Sequence, residues 1–305
     1  MNSIVVPLDG SVRSEQALGT AERLARQLDR RLELIRVIDP DKAGSIAWPE
    51  CVDRTRRYLE SIAHRFVHTV PVETHVIEGN DPAAEIIDHV RATGGNYIVM
   101  STRGLGAIGA LVFGSVADDV VRHAHVPVVL VRGEAATPAE FIQRLILPLD
   151  GSLLAEQALP QAAELARETD ATISLVQVID LPPETVYADF GPPPGMVYES
   201  VERAREDARS YLNTMANRLR RNGIRTTWEV RVGAAATEIT RAATTTGAGL
   251  IVMSTHGRTG LRRIALGSVA LEVVRSGTTP VMIVPATSPS TLNGANHRIP
   301  SSASS

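Results

Sequence analysis

Apolar residues along this chain fall into short runs that alternate with stretches of helical period. Ile4-Val5-Val6-Pro7-Leu8 opens the series as a strand. Further strands are predicted at 32–38, 71–77, 96–101 and 127–131, with helices at 14–29, 50–67, 82–93 and 115–124 between them. The alternation then repeats, with strands at 144–149, 172–179, 226–232, 249–254 and 280–284 and helices at 155–169, 198–222, 234–246 and 268–276. Strands rich in Val and Ile, each followed by a helix, indicate a parallel sheet covered on both faces. Right-handed crossovers make that a doubly wound α/β fold.

The second series repeats the first in sequence as well as in pattern. PLDGSVRSEQAL at 7–18 returns as PLDGSLLAEQAL at 148–159. YIVMSTRGLGAIGALVFGSVADDVVRHAHVPVVLV at 97–131 aligns with LIVMSTHGRTGLRRIALGSVALEVVRSGTTPVMIV at 250–284. The motif order is the same in each half, which is the mark of a tandem duplication. The expected organisation is a first domain at 1–132, a linker at 133–143, a second domain at 144–286 and a disordered tail at 287–305. About a dozen extra residues in the second half fall in the Pro/Gly-rich stretch Leu181–Glu199, which reads as a loop. Each half is expected to carry a five-stranded sheet in the order 3-2-1-4-5. The Val-rich last strands would be edges prone to aggregation if left exposed.

Composition narrows the functional classes. The 305 residues give two domains of ordinary size, with 44% hydrophobic residues for their cores. The net charge of −3 supplies no electrostatic case for nucleic acid, and 4% aromatics supply few stacking platforms. Cys51, the single cysteine, cannot form an internal disulfide. No apolar run reaches the roughly 18 residues of a membrane span. The N-terminus shows no basic stretch followed by a long apolar one, so a cytoplasmic protein is expected.

Ligands of open doubly wound sheets bind beyond the carboxyl ends of the strands, where the strand order reverses. Strands 1 and 4 flank that point, and the most closely repeated loops fall there. Strand 1 ends in Asp9-Gly10-Ser11 and Asp150-Gly151-Ser152; strand 4 ends in Ser101-Thr102-Arg103-Gly104 and Ser254-Thr255-His256-Gly257. Nine residues after that glycine, Gly114-Ser115 and Gly267-Ser268 open the last helix of each half. A helix N-terminus offers free N–H groups and partial positive charge to a phosphate. Arg258, Arg262 and Arg263 add cations to the second loop, whereas the first nine-residue spacer has none.

On these motifs both halves resemble universal stress protein domains. The family hallmark, Gly-x2-Gly-x9-Gly-(Ser/Thr), matches here except at its leading glycine, replaced by Ser101 and Ser254. The resemblance implies a Rossmann-like fold binding ATP, AMP or ADP, with Mg²⁺ as accompanying ion, and two halves joined through their Val-rich last strands as a pseudo-twofold pair. It implies that Asp9 and Asp150 contact adenine or ribose and that Val37 and Val178 line the adenine pocket. Ser101, Gly104, Gly114, Ser115 and Val116 would hold ribose and phosphates in the first half. Ser254, His256, Gly257, Arg258, Gly267, Ser268 and Val269 would do so in the second. The implied role is a nucleotide-dependent stress-response module with protein partners and a capacity to form homo-oligomers.

Two other classes fit the same residues: a nucleotide-free interaction scaffold, and an adenylyl-transferring or slowly ATP-hydrolysing enzyme. No Gly-x-Ser-x-Gly elbow, Walker A lysine motif or metal-ligand cluster is evident, so no residue is assigned to catalysis or metal binding. His64 and His68, four apart on an expected helix, read as a solvated face.

Overall fold

The computed structural model describes residues 3–42, 47–102, 114–133, 142–180, 194–254 and 266–285. The first half contains β1 (Ser3–Pro7), α1 (Val12–Glu15), α2 (Leu18–Leu28), β2 (Arg31–Ile38), α3 (Trp48–Ala63), β3 (Val72–Glu78), α4 (Pro82–Thr93), β4 (Tyr97–Ser101), α5 (Ser115–His123) and β5 (Val128–Val131). The second contains β6 (Arg144–Pro148), α6 (Leu153–Glu156), α7 (Leu159–Thr169), β7 (Thr172–Ile179), α8 (Pro194–Arg221), β8 (Thr226–Val232), α9 (Ala235–Thr246), β9 (Leu250–Ser254), α10 (Ser268–Ser276) and β10 (Val281–Val284).

All ten strands form one sheet in the order β3-β2-β1-β4-β5-β10-β9-β6-β7-β8. Each half is parallel throughout and keeps the expected 3-2-1-4-5 order. The seam is the exception: β5 and β10 pair antiparallel, with Met282 opposite Val129. The two last strands therefore cover each other's open edges, as their apolar sequences required. Val129 and Met282 are fully buried.

Two apolar layers sandwich the sheet. Leu24 of α2, Leu59 of α3, Leu165 of α7 and Leu212 of α8 pack on one face. Ile86 of α4, Val120 of α5, Ile239 of α9 and Val273 of α10 pack on the other. Polar contacts reinforce the seam where α2 meets α7. Arg30 donates from Nη2 to both carboxylate oxygens of Glu168, each at 2.9 Å. Gln27 accepts from the Ile142 N–H at 2.7 Å and donates to the carbonyls of Ile142 and Thr169.

Three elements differ from expectation. Each helix after strand 1 is split. Ser11 and Ser152 start it early as caps, and the backbone tightens to i→i−3 bonds at Gln16–Ala17 and Gln157–Ala158. The Pro/Gly-rich stretch in the second half is helical from Pro194 onward. Proline is well placed at a first helical position, where its missing N–H costs nothing. Finally, α3 ends at Ala63 and a 3₁₀ turn follows at His64–Phe66, so His64 and His68 do not share a helix face. The expected tail at 287–305 and residues 134–141 of the linker lie outside the described residues.

The α2–α7 contact gives a direct test. Arg30 is 7% exposed at its side chain, so removing its partner strands a nearly buried cation. Glu168→Ala is expected to lower stability by about 1–2 kcal/mol in urea unfolding. A loss below about 0.3 kcal/mol would show that this contact adds nothing to the joined halves.

Candidate functional site

The loops after β1 and β6 have the same construction. Gly10 and Gly151 take φ of +85° and +83°, a left-handed turn open to glycine at little cost. The turn lets the preceding aspartate fold back over the helix start. Asp9 Oδ1 accepts from the Ser11 N–H at 2.8 Å, and Asp150 Oδ1 accepts from the Ser152 N–H at 2.9 Å and its hydroxyl at 2.6 Å. The serines in turn cap α1 and α6, accepting from the N–H of Ser14 and Ala155. Both aspartates remain exposed beside the carboxyl end of their strand.

Burial pushes the Asp9 carboxyl up, but bonds from the Ser11 hydroxyl and N–H and from Ser14 outweigh it. They hold the group below its ordinary 3.8.

On the other side of the switch point stand the ends of β4 and β9. Ser101 and Ser254 are half-buried there. The Ser254 hydroxyl donates to the Leu154 carbonyl at 2.7 Å, tying β9 to α6. The serine that replaces the hallmark glycine thus joins the two loops of the second site. Val37 and Val178 lie at the ends of β2 and β7, half-buried against the α4 and α9 faces.

Gly114 and Gly267 are the N-caps of α5 and α10, and neither helix receives a side-chain cap. Their φ values, −65° and −62°, do not require glycine. What glycine supplies is a helix start that no side chain covers, with free N–H groups. Ser115 and Ser268 are exposed at the first helical position, followed by half-buried Val116 and exposed Val269. Gly104, His256, Gly257 and Arg258 lie outside the described residues.

The two sites are not equal. In the first half Arg36 extends from β2 over the turn after β1. A Cβ on Gly10 would fall 2.6 Å from its Nη1. The guanidinium also lies over the Tyr58 ring, 5.4 Å from its centroid. The Tyr58 hydroxyl donates to Glu15, and burial together with that carboxylate pushes it up to about 12. Tyr211 and Glu156 repeat the pair in the second half. The Arg36 position, however, is Gln177, whose buried Oε1 has no hydrogen-bond partner, and a Cβ on Gly151 would meet nothing within 4 Å. The last helices differ too. Asp118 sits in the first turn of α5, whereas the first turn of α10 has no acid. Arg36 lies outside the repeated motifs, and Asp118 is a position at which the aligned copies differ, with Leu271 opposite it.

A polar cavity of about 620 Å³ is lined by Gln143, Arg144, Thr172 and Arg225, among others. It borders the amino ends of β6 and β7, away from the repeated loops.

A doubly wound half-sheet, duplicated, with paired loops at each switch point, defines a tandem α/β protein. Comparison with known proteins makes the class specific. The model of the "Universal stress protein family" matches residues 1–132 and 142–285. The chain belongs to that family, as a member with two such domains. A universal stress protein of Mycolicibacterium smegmatis is 29% identical over 303 residues, covering 92% of this chain and 96% of that protein. A universal stress protein of Methanocaldococcus jannaschii is 33% identical over 143 residues, covering 47% and 81%. The crystal structure of a universal stress protein from Archaeoglobus fulgidus matches with a TM-score of 0.72 at 19% identity, covering 93% of this chain and 98% of that one. At that identity the likeness concerns the fold. No helix among the described residues is long and apolar enough to cross a membrane.

The Asp9 turn yields a pH test. A carboxyl held below its ordinary value stabilises the fold while charged, fully above 3.8, and the contribution is lost as pH falls through the lowered value. Between about pH 5 and pH 2.5, wild type is expected to lose more urea stability than Asp9→Asn. Equal losses would show that the charged form of Asp9 is not preferred in the folded protein.

Proposed function

We propose that this protein binds an adenine nucleotide, ATP with Mg²⁺, at the carboxyl ends of its strands and acts as a nucleotide-dependent regulatory module. The uncapped start of α10 carries the proposal. It has glycine at the cap, serine next and no first-turn acid, which suits a phosphate. The donors fit the group: backbone N–H and hydroxyl for phosphate, Asp150 beside the ribose or adenine end, and half-buried Val178 for the base. Bound nucleotide would supply phosphate charge whose presence or loss resets the loop between β9 and α10. Partner proteins would read that loop in the cytoplasm. The reading is of binding rather than turnover.

The second site is the stronger one on this reading. Arg36 occupies the turn in the first half and Asp118 opposes an anion at α5, while the second half lacks both. The second loop also carries Arg258, Arg262 and Arg263.

Calorimetric titration of the full chain with ATP and Mg²⁺ tests both statements. Gly257→Asp is expected to weaken binding at least about tenfold, and Gly104→Asp to do less. Absence of binding by wild type at roughly millimolar ATP would overturn the proposal. Loss through Gly104→Asp alone would reverse the ranking.

A further inference from the structure

Away from the repeated loops, three side chains from three elements converge on the α4 face of the first half. Glu33 of β2, His75 of β3 and His89 of α4 each bring one ligand-type atom within 4.8 Å of the others. Four residues separate Glu33 from Val37, so the cluster lies about 13 Å back along β2 from its carboxyl end. It belongs to a different part of the sheet from the nucleotide loops.

The Glu33 side chain is fully buried. One carboxylate oxygen, Oε1, is held by Arg31 at 3.1 Å. The other, Oε2, faces His89 Nε2 at 2.8 Å. Arg31 also pairs with Glu73 at 3.2 Å and so anchors the carboxylate from behind. The His75 and His89 rings stand 4.9 Å apart at their centroids, tilted by 54°. His75 Nε2 is buried and has no hydrogen-bond partner. Its nearest acid, Glu73, is 3.7 Å away, beyond hydrogen-bond reach. A buried ring nitrogen without a partner is costly unless something binds it.

The duplication supplies an internal comparison. By strand register and by the matching caps Gly94 and Gly247, the corresponding residues are Ser174, Glu229 and Ala242. Ser174 bonds Thr227 at 2.8 Å and receives Arg144, while Glu229 pairs with Arg231. The second half closes the same place with neutral and paired groups. Two imidazoles and a carboxylate are a property of the first half only.

We propose that Glu33, His75 and His89 form a binding site for a divalent transition-metal ion, with zinc as its representative. Two imidazole nitrogens and one carboxylate oxygen are a common zinc donor set, and water completes a tetrahedron. Donor atoms around tetrahedral zinc stand about 3.3 Å apart. Glu33 Oε2 and His89 Nε2, 2.8 Å apart, open by about half an ångström as the proton between them leaves, and His75 closes by up to about 1.5 Å. It can do so because it stands on the edge strand β3 with its side chain 37% exposed. Arg31, gripping Oε1, leaves Oε2 to the metal and fixes its direction, as an outer partner of a metal ligand does.

Titration of chelator-treated full-length protein with Zn²⁺ alone, followed by calorimetry, tests this site. Wild type is expected to bind one zinc per chain. His75→Ala, a change at a part-exposed edge position, is expected to weaken binding at least about tenfold, as is His89→Ala. The double variant His64→Ala/His68→Ala should bind like wild type, which separates the site from surface histidines. With Co²⁺ in place of zinc, wild type should show the visible absorption of a tetrahedral site and His75→Ala should not. The proposal is overturned if wild type shows no saturable binding at tens of micromolar zinc, or if His75→Ala binds as wild type does.

Discussion

The antiparallel pairing of β5 with β10 is the constraint on which the rest of the structure depends. A five-stranded parallel sheet that ends in Val128–Val131 leaves a flat apolar edge with unpaired backbone groups. Its duplicate ends in Val281–Val284 and has the same defect. Each edge is the other's remedy, and their union makes ten strands from two fives. The union also brings α2 against α7, where Arg30, Glu168 and Gln27 lock the halves by side chain. Because the seam strands run in opposite directions, each half keeps its own strand ends and its own site.

Duplication places two copies of one site, and subsequent substitution makes them unequal. The shared part is backbone work: the glycine turn, the aspartate folded over it, the serine cap and the uncapped last helix. The divergent part is side-chain work. Arg36 fills the turn in one half where Gln177 stands in the other. Asp118 sits in the first turn of α5, and the first turn of α10 has no acid. The same logic runs in reverse on the α4 face, where the first half gathers Glu33, His75 and His89 and the second half gathers none of the imidazoles.

Much of this was legible in the sequence because it is local. Element spacing follows from period and the parallel sheet from crossover rules, while the seam came from the family resemblance together with the apolar edges. The Asp-Gly-Ser turns were visible because a left-handed glycine and a serine cap are adjacent residues. Pro194 misled because proline signals both a loop and a helix start, and only the following residues' packing decides. Arg36 and the Glu33–His75–His89 cluster were not legible. Their members meet across strands and a helix, and no short-range pattern records that β2, β3 and α4 bring them to one place. The serine at the hallmark position could be seen, but its bond to the Leu154 carbonyl could not.

The central claim is that the strand-end loops form unequal nucleotide sites. Amide hydrogen exchange, with and without saturating ATP and Mg²⁺, addresses it most directly. The account predicts slowed exchange at 266–271 and 150–155, with weaker protection at 114–117 and 9–14. Protection confined to other segments, or equal protection in both halves, would contradict it.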